Sequence, residues 1–459
     1  MRRNSFALVF SFLDREFLRS FRAIALPVAL MGLINFGVNA VDTLMLGLVG
    51  EVQLSGAAVA NQLSFMFMII GAAGVAGGCG VLAAQYWGAG DKKRVREIFA
   101  FMFRVVAVVN LFFAAIAFFI PQHVIGIITT DQEVIAEGVI YLRIMSLGYI
   151  LWGFTSASTT LLRSVGIVRI SVALYSISLV ISASLNYLLI FGNFGFPAMG
   201  IAGAATATVI ARFAEFAIIV VYLFKFEKTL RFRLGDLIGR TKGVAGSFMK
   251  YAFPVILNEA FWSSAFFTVN VIIGRMGREF VAANAIGSLI MQFTSMIAMS
   301  CASATAVIVG NTIGEGRYGR ARRIGNGMLL ISFLLGFFCF IVIQALRVPF
   351  VNFYELSERA RGYALQLTHI ISVNIIFVSV ASISLMGTLR GGGDAKFVMV
   401  VDVIFMWLIS IPLGAFTGLV LNWPVWIVYI ILRSENFFKT ITVLWRVPRG
   451  KWLKDVTKT

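Results

Sequence analysis

Apolar runs of roughly 20 residues, each long enough to cross a hydrocarbon core ~30 Å thick, recur from one end of this chain to the other. The hydrophobic blocks lie near 24–49, 53–87, 98–120, 134–162, 170–191, 201–224, 247–274, 281–312, 324–346, 363–388, 397–420 and 424–444. None alternates residue by residue as a barrel strand does, and in lipid a lone apolar segment satisfies its backbone only as a helix. Composition agrees: 59% of the 459 residues are hydrophobic and 13% are charged, about half the charge of an ordinary soluble domain. The expected class is an all-α integral membrane protein of twelve transmembrane helices with no soluble domain left over. The first block ends in no small-residue cleavage pattern, so it is expected to stay as a span and not to leave as a signal peptide.

The formal net charge of +18 would suit a nucleic-acid partner, but its placement argues against one. One set of polar breaks carries Arg2, Arg3, Arg15, Arg19 and Arg22, then Lys92, Lys93, Arg94 and Arg96, then Arg163 and Arg169. The same set continues with the basic run from Lys225 to Lys242, with Arg317 to Arg323, with Arg390 and Lys396, and with the tail from Arg446 to Lys458. The alternate breaks offer only Arg275, Arg278, Arg347, Arg359 and Arg361. By the positive-inside rule both termini are cytoplasmic, which requires an even number of spans. The expected location is a bacterial inner membrane. Cys79, Cys301 and Cys339 fall inside the blocks, scattered, and form neither a disulfide framework nor a metal site.

The chain also repeats itself. Pro27 matches Pro254 at 254 − 27 = 227, and Gly47 and Gly50 match Gly274 and Gly277 at the same offset. Gln85 to Gly90 aligns with Asn311 to Gly316 at 226, and Leu162 to Gly166 with Leu389 to Gly393 at 227. Each half therefore holds six spans, so both enter from the same side and the repeat is parallel. Residues 1–224 form an N-terminal six-helix lobe, 225–246 a cytoplasmic linker, and 247–459 a C-terminal lobe with a basic tail. Transporters built this way hold substrate near the midplane between repeats and alternate access by moving one against the other.

At these landmarks the chain resembles the multidrug and toxic compound extrusion (MATE) family. The resemblance rests on Val41-Asp42-Thr43-Leu44-Met45-Leu46-Gly47, on Ala84-Gln85-Tyr86-Trp87-Gly88-Ala89-Gly90-Asp91, and on Leu162-Arg163 with Gly166. It extends through Asn186 with Leu189 to Gly192, Gly200 to Ala205, Pro254 to Glu259, Leu389 to Asp394 and Trp407 to Leu413, essentially the whole chain. It implies a V-shaped pair of six-helix lobes that exports amphipathic, often cationic compounds, driven by inward H⁺ or Na⁺. The acidic residue at the position of Asp42 is then a cation or proton site, and one chain works as a monomer.

Coupling needs a group in the membrane that binds a cation reversibly. A charge at midplane costs about 2.5–3.5 kcal/mol on insertion scales and is rarely kept idle. Asp42, about two-thirds along its block, is the leading candidate. Glu259, twelve residues into the seventh block and five after Pro254, is a second, with Asn258 beside it. Asn186 stands where many relatives carry a second aspartate and Ser182 one turn earlier, so both read as supporting polar ligands. Asp402 reads as paired with a loop cation, Arg212 and Glu215 as an intrahelical ion pair, and His369 as a hydrogen-bonding strut. Pro27 and Pro254 are candidate bending or gating points.

An embedded enzyme would need a polar catalytic cluster or metal ligands close together, and two histidines with no paired motif and no nucleotide loop supply neither. No cofactor is expected beyond the coupling ion. The partners are small organic substrates and membrane lipid. A flippase for lipid-linked saccharides is the alternative, disfavoured by the count of twelve and by the acidic midplane charges.

Overall fold

The computed structural model describes residues 14–458 except 240, 242 and 355, and leaves the side chains of Leu234, Ile238 and Arg278 undescribed. Of the basic residues read as topology signals, Arg2, Arg3, Arg240 and Lys242 thus lie outside the described residues, as does the Arg278 side chain. Among the described residues the regular structure is all helical. Among these residues eleven helices are long and apolar enough to span a membrane. They are α1 (Arg15–Gly47), α2 (Glu51–Gly88), α3 (Lys92–Phe119), α4 (Gln132–Ser164), α5 (Arg169–Phe191), α6 (Ile201–Phe226), α7 (Val244–Arg275), α8 (Glu279–Gly314), α9 (Tyr318–Asn352), α10 (Glu358–Leu389) and α11 (Ala395–Val420). The twelfth apolar block is two shorter helices, α12 (Val425–Leu432) and α13 (Glu435–Arg446), joined by a turn at Arg433 and Ser434.

Most helices overrun the apolar blocks that announced them, because helical hydrogen bonding continues after the chain leaves the hydrocarbon. Polar caps then start them: the Asp91 carboxylate accepts from the Arg94 N–H at 2.9 Å, and Asp131 from Glu133 at 3.0 Å. Left-handed glycines end them at equivalent points of the repeat, Gly90 (φ 77°) with Gly316 (φ 76°), and Gly166 (φ 83°) with Gly393 (φ 85°).

Several spans contain wide π-helical turns, at Ile69–Gly74 in α2, Phe248–Ala252 in α7 and Ile383–Leu389 in α10. Such turns free backbone carbonyls, which in lipid must find a donor inside the protein. In α2 the donor is Asn110 of α3, whose Nδ2 reaches the Gly71 carbonyl at 3.1 Å. Glycine makes room for it: a Cβ at Gly153 of α4 would stand 2.7 Å from the same Nδ2.

Packing divides the chain into two compact units, one of residues 26–83 and 91–259, the other of residues up to 25, 84–90 and 260 onward. In the first, α4 packs on α2, α3 and α6, and α5 on α6. In the second, α10 packs on α8, α9 and α13. Within this second unit the ends of α2 and α8 cross backbone to backbone. A side chain at Gly88 would strike the Asn311 carbonyl, and one at Gly314 the Gln85 carbonyl. The two contacts exchange under the repeat, since 311 − 85 and 314 − 88 are both 226. Gly314→Val is therefore expected to destabilise the protein by about 1–3 kcal/mol through overpacking. Thermal unfolding of the purified variant checks it, and an unchanged midpoint would mean that the crossing is loose.

The basic tail, read in the sequence only as a topology signal, is folded against the second unit. Trp452 and Val456 are fully buried, and the indole lies against Gly325 and Gly392 while its Nε1 donates to the Val447 carbonyl at 2.8 Å. Asp394 receives Arg446 at 2.7 Å and Lys454 at 2.5 Å. The buried Gln85 side chain accepts from the Val456 N–H at 2.9 Å and donates to the carbonyls of Gly391 and Lys454 at 3.1 and 3.2 Å.

Candidate functional site

Asp42 lies five residues before the end of α1 at Gly47, nearer the helix end than the apolar block suggested, because α1 begins at Arg15. Its side chain is turned inward and the residue is only 9% exposed. Asn186 of α5 donates from Nδ2 to the Asp42 carboxylate. Ser182, one turn earlier on α5, borders the same group. The Asn186 Oδ1 and the Ser182 hydroxyl are buried, and neither has a hydrogen-bond partner among the described residues. Buried polar atoms are normally paired. A carboxylate beside two unpaired oxygens is a set of hard acceptors suited to a proton or a small hard cation.

Tyr141, which the sequence did not single out, and the Arg212–Glu215 pair, which it did, complete the surroundings. Tyr141 of α4 is 2% exposed and interacts electrostatically with Asp42, and its hydroxyl lies near Asn61 of α2. Arg212 of α6, gripped by Glu215 at 2.8 and 3.1 Å, also acts on the Asp42 charge. The intrahelical pair expected at these two positions is therefore present, and it stands in the electrostatic field of the carboxylate. A tyrosine inside an apolar helix gives no sequence signal for such a role, because its ring belongs in a core with or without function.

The second candidate acid is held by a different pair of helices. Glu259 of α7 is 9% exposed and faces the wide turn of α2, where a Cβ at Gly74 would stand 3.5 Å from its own. Beside it Asn258 is 1% exposed, with neither side-chain polar atom paired among the described residues. Pro254 lies two residues after the π turn Phe248–Ala252, whereas Pro27 sits inside the continuous helix α1. His369 meets Gln344 at 2.7 Å between α10 and α9, the strut geometry expected of it. Asp402 is paired as expected, but with Lys439 of α13 and not with a loop cation.

Asn186→Ala separates a ligand from a strut. Interhelical hydrogen bonds in membranes average only about 0.6 kcal/mol, so thermal stability is expected to hold within about 1 kcal/mol while gradient-driven transport falls roughly tenfold. Transport at the parental rate would show that Asn186 merely braces α1 on α5.

A repeated bundle of membrane-spanning helices with a buried acid is the architecture of a membrane transporter. The family profile described as MatE matches residues 27–188 and 254–416, well over half of the chain and once in each repeat. The chain belongs to the MatE family. It is 26% identical over 453 residues to the probable multidrug resistance protein NorM of Synechocystis sp., covering 94% of each chain. To the probable multidrug resistance protein YoeA of Bacillus subtilis it is 24% identical, over 78% of each. A solved MATE structure in a bent conformation shares the fold with a TM-score of 0.86 at 16% identity, over 98% of this chain and 99% of that one. A MOP superfamily transporter from Pyrococcus furiosus does so at 0.85, covering 97% of this chain and 98% of the other.

Proposed function

We propose that the chain is a secondary active multidrug exporter that moves amphipathic or cationic organic compounds outward in exchange for inward H⁺ or Na⁺. The observation that carries this reading is the buried Asp42 carboxylate, bonded by Asn186 and bordered by two unpaired oxygens. The probable multidrug resistance proteins among its relatives support the substrate class. A carboxylate in lipid is stable when neutralised, so it holds a proton or Na⁺ in one state and exchanges it as the helices around it rearrange. Its neighbours divide the work. Asn186 orients the carboxylate across α1 and α5, Ser182 offers a further oxygen, and the Arg212–Glu215 pair fixes the nearby charge.

In this reading the protein needs no cofactor beyond the coupling ion, catalyses no covalent chemistry and works as a single chain in a bacterial inner membrane with both termini inside. Glu259, with Asn258, is a second coupling or substrate-binding acid. The test is transport of a fluorescent organic cation in everted membrane vesicles while a pH or Na⁺ gradient is imposed. Dye movement only under one of the gradients is the expected result and names the ion. Movement indifferent to both would overturn antiport.

A further inference from the structure

The second packing unit contains a buried ion pair that the first repeat does not reproduce. Lys439 of α13 and Asp402 of α11 meet at 2.8 Å, with side chains 6% and 7% exposed. Around them stand Glu435, one turn before Lys439 on α13, and Arg433, whose charge acts on Glu435. Glu435 Oε1 accepts from Asn436 at 3.2 Å, and its Oε2 has no hydrogen bond among the described residues. From α10 the nearest bond is neutral, the Phe377 carbonyl accepting from Thr440 at 3.1 Å.

The internal repeat shows what replaced what. Asp402 takes the place of Tyr175, since 402 − 175 = 227, the offset that also relates Arg169 to Lys396. On the last helices the buried residues Ala204, Thr208, Ala211, Glu215 and Ile219 fall on Val428, Leu432, Glu435, Lys439 and Val443, each at 224. Lys439 thus falls on Glu215 at this offset and on Arg212 at 227, within the charge pair of the first repeat. Meanwhile Asp42 corresponds to Val269, at 269 − 42 = 227, and Asn186 to the exposed Leu413, at 413 − 186 = 227. The second repeat carries neither an acid nor an amide at these positions, and holds a carboxylate elsewhere, already covered by an ammonium.

A lysine ammonium is a compact charge with donors in three directions, able to fill the place of a small cation on a carboxylate. Held by a covalent stem, it does not leave. We propose that Lys439 is a tethered cation that permanently occupies Asp402, so that the carboxylate of this pair takes no exchangeable cation. On the antiport reading above, from which this last step follows, one external cation per cycle then passes at Asp42 and none at Asp402.

The test is equilibrium binding of radioactive Na⁺, with proton uptake measured in parallel, on the purified full-length protein. In the parent, Asp42→Asn is expected to lower the cation bound and Asp402→Asn to leave it unchanged. Lys439→Gln and Lys439→Asn should each add a component, raising the cation bound at Asp402 from none to about one per chain. Adding Asp402→Asn should abolish that component, and Lys439→Arg should never show it. The neutral double variant Asp402→Asn with Lys439→Gln leaves no bare charge and serves as the folding control by gel filtration. Parental binding in a folded Lys439→Gln or Lys439→Asn variant overturns the proposal. So does a loss of binding when Asp402→Asn is made alone, a result that needs no Lys439 variant to fold. Absence of any Asp42-dependent binding in the parent would instead overturn the antiport reading, while the Asp402 comparison would still decide the role of Lys439.

Discussion

Asp42→Asn is expected to lower gradient-driven export at least about 100-fold, the loss of roughly 2.7 kcal/mol of coupling, while the protein still inserts and folds. Asparagine keeps the size of the side chain and a hydrogen-bonding group for Asn186, but it carries no charge at any pH. It therefore removes the exchange without opening a hole between α1 and α5. Asp42→Glu keeps the charge at a displaced position and is expected to retain part of the activity. Dye export in everted vesicles reads both, with membrane abundance as the control. An Asp42→Asn variant that still responds to the gradient would move the coupling acid elsewhere, with Glu259, buried on α7 beside the turn of α2, the next to examine.

Trp452→Ala is expected to cost about 3–5 kcal/mol, the range for removing a fully buried large aromatic. The size of this effect comes from where the residue lies. Between helices in lipid, burying apolar surface gains little because the tails are as apolar as leucine. The tail follows the last helix into a segment of charged and turn residues, so burial of its indole against Gly325 and Gly392 is driven by water. The ring also locks neighbours that carry polar contacts. Lys454 donates its backbone N–H to the Gly392 carbonyl at 2.9 Å, and Val456 donates to Gln85 at 2.9 Å. Thermal unfolding of the purified variant should show a lowered midpoint together with proteolysis of the chain beyond Val447. An intact tail and an unchanged midpoint would mean that the polar bonds alone hold it.

Hydropathy located the spans because the bilayer demands one thing of every crossing segment, a helix of sufficient apolar length. It located their ends poorly. Arg15–Arg22 and Tyr318–Arg323 continue α1 and α9 as helix beyond the apolar blocks, where repeated arginines break the apolar run. Asp42 stood out as an acid inside an apolar block, whereas Asn186 was joined to it only through the family resemblance, and their hydrogen bond is a matter of packing. Tyr141 and Arg212 were not legible as parts of the same surroundings, since their approach to Asp42 depends on how α4 and α6 rotate about their axes. The same holds for Lys439. Its link to Asp402 joins two residues thirty-seven apart in the chain, 439 − 402, and only packing reveals which cation the acid chose. The folding of the tail went unread for a different reason: its basic residues announced only a topology, and the single tryptophan that folds it carried no pattern.

The most direct measurement is reciprocal exchange in proteoliposomes holding only the purified protein. With no pH or Na⁺ gradient at the start, a gradient of the organic substrate alone should drive H⁺ or Na⁺ in the opposite direction, and Asp42→Asn should abolish that movement. Substrate that crosses while neither cation moves would contradict antiport at Asp42 outright.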